Sequence, residues 1–110
     1  MKLPNADRAV VDRRKVVDYC LNPEHDDGLH KARLFQALVG VNRDNSNLLI
    51  DALRAAAVAG DALVGVADEY GRRYVVDFEF NGPRGTAVIR SAWIVRAGEE
   101  LPRLVTCYIR

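Results

Sequence analysis

Between residues 72 and 80, polar and apolar side chains alternate without a break. Tyr74, Val76, Phe78 and Phe80 share one side, and Arg73, Val75, Asp77 and Glu79 the other. A period of two predicts a strand with one covered and one open face. Three further segments rich in β-branched and aromatic residues, 62–69, 86–96 and 103–109, predict strands on either side of it. The turn signals between them are Tyr70-Gly71, Asn81-Gly82-Pro83-Arg84-Gly85 and Gly98-Glu99-Glu100-Leu101-Pro102. Such short connections make neighbouring strands antiparallel. In the fourth strand the alternation predicts Val105, Cys107 and Ile109 inward, with Leu104, Thr106 and Tyr108 outward. The third strand is open to two registers, because Ile89, Ser91, Trp93 and Val95 are hardly more apolar than Val88, Arg90, Ala92 and Ile94.

Before Gly60 the period is helical. Asp12 is placed to cap a helix through Leu21, with Val16, Val17, Cys20 and Leu21 on one stripe and Asn22-Pro23 ending it. A second helix is predicted over 29–39, closed by Gly40. A third begins after Asp44 or Ser46 and runs to about Val58, with Leu49, Ala52, Leu53 and Ala56 inward. The fold class that follows is α+β: three N-terminal helices, then a four-stranded antiparallel meander with the helices packed on one face.

Composition narrows the picture. At 110 residues, 49% hydrophobic and 28% charged, the chain is expected to form a single domain over 1–110 with one small core. No segment approaches the about 18 apolar residues of a membrane span, and the first residues lack a signal peptide's apolar stretch. A cytoplasmic location and no membrane partner are therefore expected. The formal net charge of +1 provides no large field for polyanions, and no DNA partner is expected. Cys20 and Cys107 lack the spacing of a zinc site or redox pair and read as two buried thiols.

Lys31 is the first candidate for chemistry. At about 100° per residue it falls near the middle of the apolar arc of Leu34, Phe35, Leu38 and Val39, in the first turn of the second helix. A desolvated lysine there suits a general base or a phosphate contact; the alternative is a stem on the core edge with its amine in water. His30 and His25 flank it and titrate near neutrality, but their spacing does not suit a metal, and no metal or cofactor is expected. Arg90, Ser91, Thr106 and Tyr108 come from strands expected to be neighbours and would suit a phosphate on an open face. Trp93 is either core or a surface for stacking a base. Phosphate-loop, dinucleotide, zinc-protease and serine-hydrolase motifs are absent from the sequence.

Several stretches resemble a bacterial family known only as a domain of unknown function. They are Lys2-Leu3-Pro4-Asn5-Ala6; Asp18-Tyr19-Cys20-Leu21-Asn22-Pro23 ahead of Gly28-Leu29-His30-Lys31-Ala32-Arg33-Leu34-Phe35; Tyr70-Gly71-Arg72-Arg73-Tyr74; Arg90-Ser91-Ala92-Trp93-Ile94-Val95; and Pro102-Arg103-Leu104-Val105-Thr106. Relatives of that family look like barnase/EndoU/colicin/RelE-like ribonuclease toxins, which place helices before a four-stranded antiparallel sheet. The resemblance implies metal-independent cleavage of an RNA substrate and a cognate neutralising protein. It assigns Lys31 or His30 as base or acid and Arg90 or Arg103 as the cationic clamp. Ser91, Thr106 or Tyr108 would position the phosphate. The chain departs from a histidine-rich EndoU pattern in having no second histidine in the strands. The competing expectation is a noncatalytic interaction module, a neutralising partner or adaptor that pairs through the sheet's open face or edge.

Overall fold

Four strands carry the period-two segments: β1 (Ala62–Asp68), β2 (Gly71–Asn81), β3 (Thr86–Arg96) and β4 (Pro102–Ile109). They form one antiparallel sheet in the order β1-β2-β3-β4, the expected meander. The computed structural model describes residues 1–24 and 29–110, with Leu29 and His30 described by backbone alone.

Pairing between β2 and β3 decides the face that the sequence left open. The ladder runs without a slip from Gly71 opposite Arg96 to Asn81 opposite Thr86, which sets Val76 against Ser91 and Tyr74 against Trp93. Directly opposed residues share a face, so the covered face of β2 carries Ile89, Ser91 and Trp93 inward with it. All three are fully buried. Arg90 is thereby set opposite Asp77 on the other face.

The phase expected for β4 needs correction. Ser91 opposes Cys107 and Ala92 opposes Thr106, but Trp93 opposes Leu104, leaving Val105 as the extra residue of a bulge. A bulge shifts the alternation by one position. Leu104 is consequently buried and Val105 exposed, while Cys107 stays inward as expected.

The helical half is more broken than three uninterrupted N-terminal helices. It contains 3-10 turns at Ala6–Arg8 and Arg43–Asn45, π-helical turns at Lys15–Cys20, α1 (Leu29–Leu34) continuing as π-helical turns over Phe35–Val39, and α2 (Asn47–Ala59). Asp12 begins the first of the longer segments, its Oδ1 accepting the Arg14 N–H. Gly40 closes the second in the left-handed region, at φ 72, where a Cβ is disfavoured. Asn42 caps the next turn by accepting the Asp44 N–H, while the Asn45 side chain accepts the Asn42 N–H.

One core joins these pieces to the sheet. Leu49, Ile50, Leu53, Ala56 and Ala57 of α2 pack with Val16, Cys20, Phe35 and Val39 against Val76, Ile89 and Trp93. The chain leaves α2 so close to β2 that a Cβ at Gly60 would lie 2.5 Å from Val76 Cγ1. Val10 adds one rung beyond β4: its N–H bonds the Pro102 carbonyl, and its carbonyl accepts the Leu104 N–H. This covers the start of the β4 edge, whereas β1 is exposed on both faces from Leu63 onward. Among the described residues no helix is long and apolar enough to cross a membrane.

Candidate functional site

The buried stripe of α1 and its continuation is Ala32, Phe35 and Val39, and Leu34 and Leu38 are about half exposed. Lys31 therefore lies at the border of the stripe and not at its middle. Its half-buried side chain runs to the outer strand, where Nζ donates to Thr106 Oγ1 at 3.3 Å. The ammonium also lies 5.0 Å from the centre of the Tyr19 ring and 5.5 Å from that of Tyr108. Two aromatic faces and one hydroxyl thus hold the cation, through the attraction between an ammonium and the ring quadrupoles. Among the described residues, no carboxylate pairs with it.

Thr106 links Lys31 to a buried thiol. Its Oγ1 is 3.7 Å from Cys20 Sγ. The Cys20 thiol is lowered to about 6, chiefly because the Cys107 thiol donates to it; Thr106 and the Lys31 charge add to this against the cost of burial. Cys107, deeply buried beside it, is pushed up and keeps its proton. Since Thr106 already accepts from Lys31, its hydroxyl proton is free to point at a Cys20 thiolate. Lys31, Thr106, Cys20 and Cys107 then form one chain of polarised bonds.

Arg90 opposes Tyr108 across β3 and β4 and interacts with its side chain. The guanidinium is held by Asp77 through two parallel bonds, Nε to Oδ1 at 2.8 Å and Nη2 to Oδ2 at 2.9 Å. This fork raises the Arg90 guanidinium further above its usual range. Arg110 Nη1 reaches the same Oδ2 at 2.9 Å, and the Asp77 carboxyl is held below the usual range by Arg90 first and Arg110 after it. Asp77 was legible only as a solvated strand-face residue, yet it fixes the guanidinium of the cluster.

The other expected site residues lie elsewhere. Ser91 is fully buried on the opposite face from Arg90, donating to the Val76 carbonyl at 2.7 Å and accepting the Trp93 indole N–H at 2.9 Å. Successive strand residues point to opposite faces, so Ser91 cannot join Arg90, Thr106 and Tyr108 on one surface. Trp93 has no exposed surface on which a base can stack. Arg103, three residues back along β4, is engaged by Glu99 at 3.2 and 3.3 Å. The roles expected of His30 and of His25 beside it lie outside the described residues. Nothing in the sequence pattern marks Tyr19, and Cys20 carries only the signature of a buried thiol. Their one signal was membership of a helical segment beside a lysine on the wrong side of its own helix. Among the described residues no three His, Cys, Asp or Glu side chains come together as a metal-ligand set.

Fold and cluster together define an α+β protein in which a lysine of α1 meets a threonine and a tyrosine of the outermost strand, beside an anchored arginine. The chain belongs to the family described as "Domain of unknown function (DUF6883)", whose model matches residues 2–110. No curated protein and no solved structure matches it.

Proposed function

We propose that this protein is an endoribonuclease that cleaves RNA without a metal, with Lys31, Thr106, Tyr108 and Arg90 at its centre. The observation that carries this reading is the placement of Lys31 Nζ, 3.3 Å from Thr106 Oγ1 and between the rings of Tyr19 and Tyr108. A phosphodiester needs fixed cationic donors that need not reorganise as charge builds on its oxygens. Lys31 uses one donor on Thr106 and keeps others for a phosphate oxygen. Arg90 uses Nε and Nη2 on Asp77, which fixes its guanidinium beside Tyr108 as the cationic clamp of the proposed site.

In the reaction the ribose 2′-oxygen loses its proton and forms a bond to phosphorus. The bond from phosphorus to the 5′-oxygen breaks, and that oxygen takes a proton. Lys31 gives this proton, and His30, its neighbour in the chain, is the second proton-transfer group. The products are a 2′,3′-cyclic phosphate and a 5′-hydroxyl. A toxin role with a cognate neutralising protein follows from the same reading.

The test is incubation of the purified protein with total RNA in EDTA at neutral pH. Cleavage with cyclic-phosphate ends is expected, and Lys31→Ala should slow it about 10²- to 10⁴-fold, the usual contribution of a proton-transfer group. Expression of the wild type should arrest growth, and the variant should relieve that arrest with an unchanged melting temperature. Intact RNA, or a Lys31→Ala variant as active as the wild type, overturns the reading.

A noncatalytic interaction module is the second reading, supported by β1. Leu63, Val64 and Val66 are 65%, 49% and 66% exposed on a strand that, among the described residues, has no strand neighbour on its outer edge. Edges of this kind add a strand from a partner. Intact RNA in the assay above favours it.

A further inference from the structure

On the side of α1 turned away from the Lys31 cluster lies an open pocket of about 650 Å³. Arg33 comes from α1, Arg43 from the 3-10 turn after Asn42, and Arg84 from the turn between β2 and β3; Leu21, Pro23 and Ala32 supply an apolar floor. The three guanidiniums have neither an ion-pair nor a hydrogen-bond partner among the described residues, unlike Arg73, Arg90 and Arg103, each held by a carboxylate. Among the described residues, the single acid on the pocket wall is Asp44.

The convergence is built by backbone packing. A Cβ at Gly82 would lie 2.2 Å from the Val39 carbonyl oxygen, so only glycine lets the β2–β3 turn close onto the end of the Phe35–Val39 segment. Arg84 N–H then bonds the Val39 carbonyl at 3.2 Å, and the Arg84 stem lies over Gly40, where a Cβ would come within 2.8 Å of its Cγ. Like charges brought to one concavity repel one another, and the repulsion is relieved when a polyanion binds between them. On the wall, Asn42 Nδ2 donates to Gln36 Oε1 at 2.8 Å, which leaves the Gln36 amide N–H groups free to donate.

We infer that this pocket binds a phosphorylated nucleoside, either free or as one unit of a single strand, with Arg33, Arg43 and Arg84 on the phosphate and the base over the apolar floor. The size falls within the usual range for small-ligand sites. Guanidinium planes serve a nucleotide twice, by forked bonds to phosphate and by stacking on the base. The inference is independent of whether the Lys31 cluster cleaves RNA.

Calorimetric titration of the full chain with adenosine 5′-monophosphate, inorganic phosphate and a short single-stranded RNA tests it. Saturable, salt-sensitive binding of the monophosphate is expected, tighter than that of phosphate. Arg33→Ala and Arg84→Ala should each weaken it roughly tenfold or more, as the loss of a charged hydrogen bond does, with melting temperatures unchanged because both side chains are exposed. Lys31→Ala should leave it unaltered. RNA binding more tightly than the monophosphate, with the same arginine dependence, assigns the nucleoside to a strand; weaker RNA binding assigns it to the free nucleotide. Absence of saturable monophosphate binding overturns the proposal, as does phosphate binding equally well. So does dependence on Lys31 in place of the arginines, which would put the nucleotide in the other site.

Discussion

Thr106 bonds to Lys31 and lies against Cys20, and charge decides the direction of each contact. The ammonium can only donate, so the hydroxyl accepts from it and turns its own proton toward sulfur. With Cys107 donating to the same sulfur, the Cys20 thiol is lowered to about 6. Titration of the protein followed at the thiolate absorbance should therefore show one thiol ionising near 6 and the other, Cys107, above the usual range for cysteine. Cys20→Ser should abolish the early step, and a single transition near 9 for both thiols would contradict it. Ser91 shows the same accounting inside the core. It is the acceptor for the buried Trp93 indole, so Ser91→Ala should cost about 1–3 kcal/mol, the usual penalty for leaving a buried donor unpaired. The denaturation midpoint should fall with an unchanged slope. Lys31 was legible as misplaced within its own helix; that it shares a site with Thr106 and Tyr108 was implied by the resemblance alone, because the contacts themselves depend on the pairing of β4.

At the scale of elements, the strand positions were readable because alternation is local: it reports which side of a single strand is dry. The registers were not, because they belong to pairs of strands. Val105 reads as an inward residue by simple alternation, and only the slip between Ala92 and Trp93 turns it outward. Glycines at the turns behave in two ways. Gly71 has φ 144, and a Cβ there would lie 2.2 Å from the Val95 carbonyl oxygen; Gly98 has φ 80 and nothing near its missing Cβ. Gly71→Ala should therefore cost well over the ~1 kcal/mol expected of Gly98→Ala, where only the left-handed backbone is penalised. Paired melting curves would check this, and equal losses would mean that the hairpin relaxes around the new methyl group. The helices were visible as apolar stripes, but their division into short 3-10, π and α pieces reflects how each turn must fit the sheet.

For the whole molecule, the open face of the sheet is tied together by Asp77, which holds Arg90 of the next strand and Arg110 at the chain's last residue. The folded state holds the Asp77 carboxyl below its unfolded value. Its stabilising contribution is thus fully present above the unfolded pKa and is lost as pH falls through the folded one. Acid unfolding should begin at higher pH in Asp77→Asn, whose stability should depend less steeply on pH below about 4. Overlapping curves for the two proteins would remove Asp77 from the account. The N-terminal strap acts over the same range. Ala62 N–H bonds the Met1 carbonyl, Leu3 is buried, and Val10 pairs with the start of β4. Removal of residues 1–10 should expose the β4 edge, lower the melting temperature and promote association of strands from different molecules.

The amino-acid sequence by itself determined the order of helical and extended segments, the covered face of β2 and the breaks between strands. Each of these follows from a repeat or a backbone restriction that acts within a few residues. Tertiary structure alone decided that Ser91 faces the core, that β4 slips by one residue, that Lys31 meets Thr106 between two tyrosines, and that Arg33, Arg43 and Arg84 converge. These depend on strand registers and on close backbone approaches at Gly40 and Gly82, where the free energy belongs to contacts between segments distant in the chain.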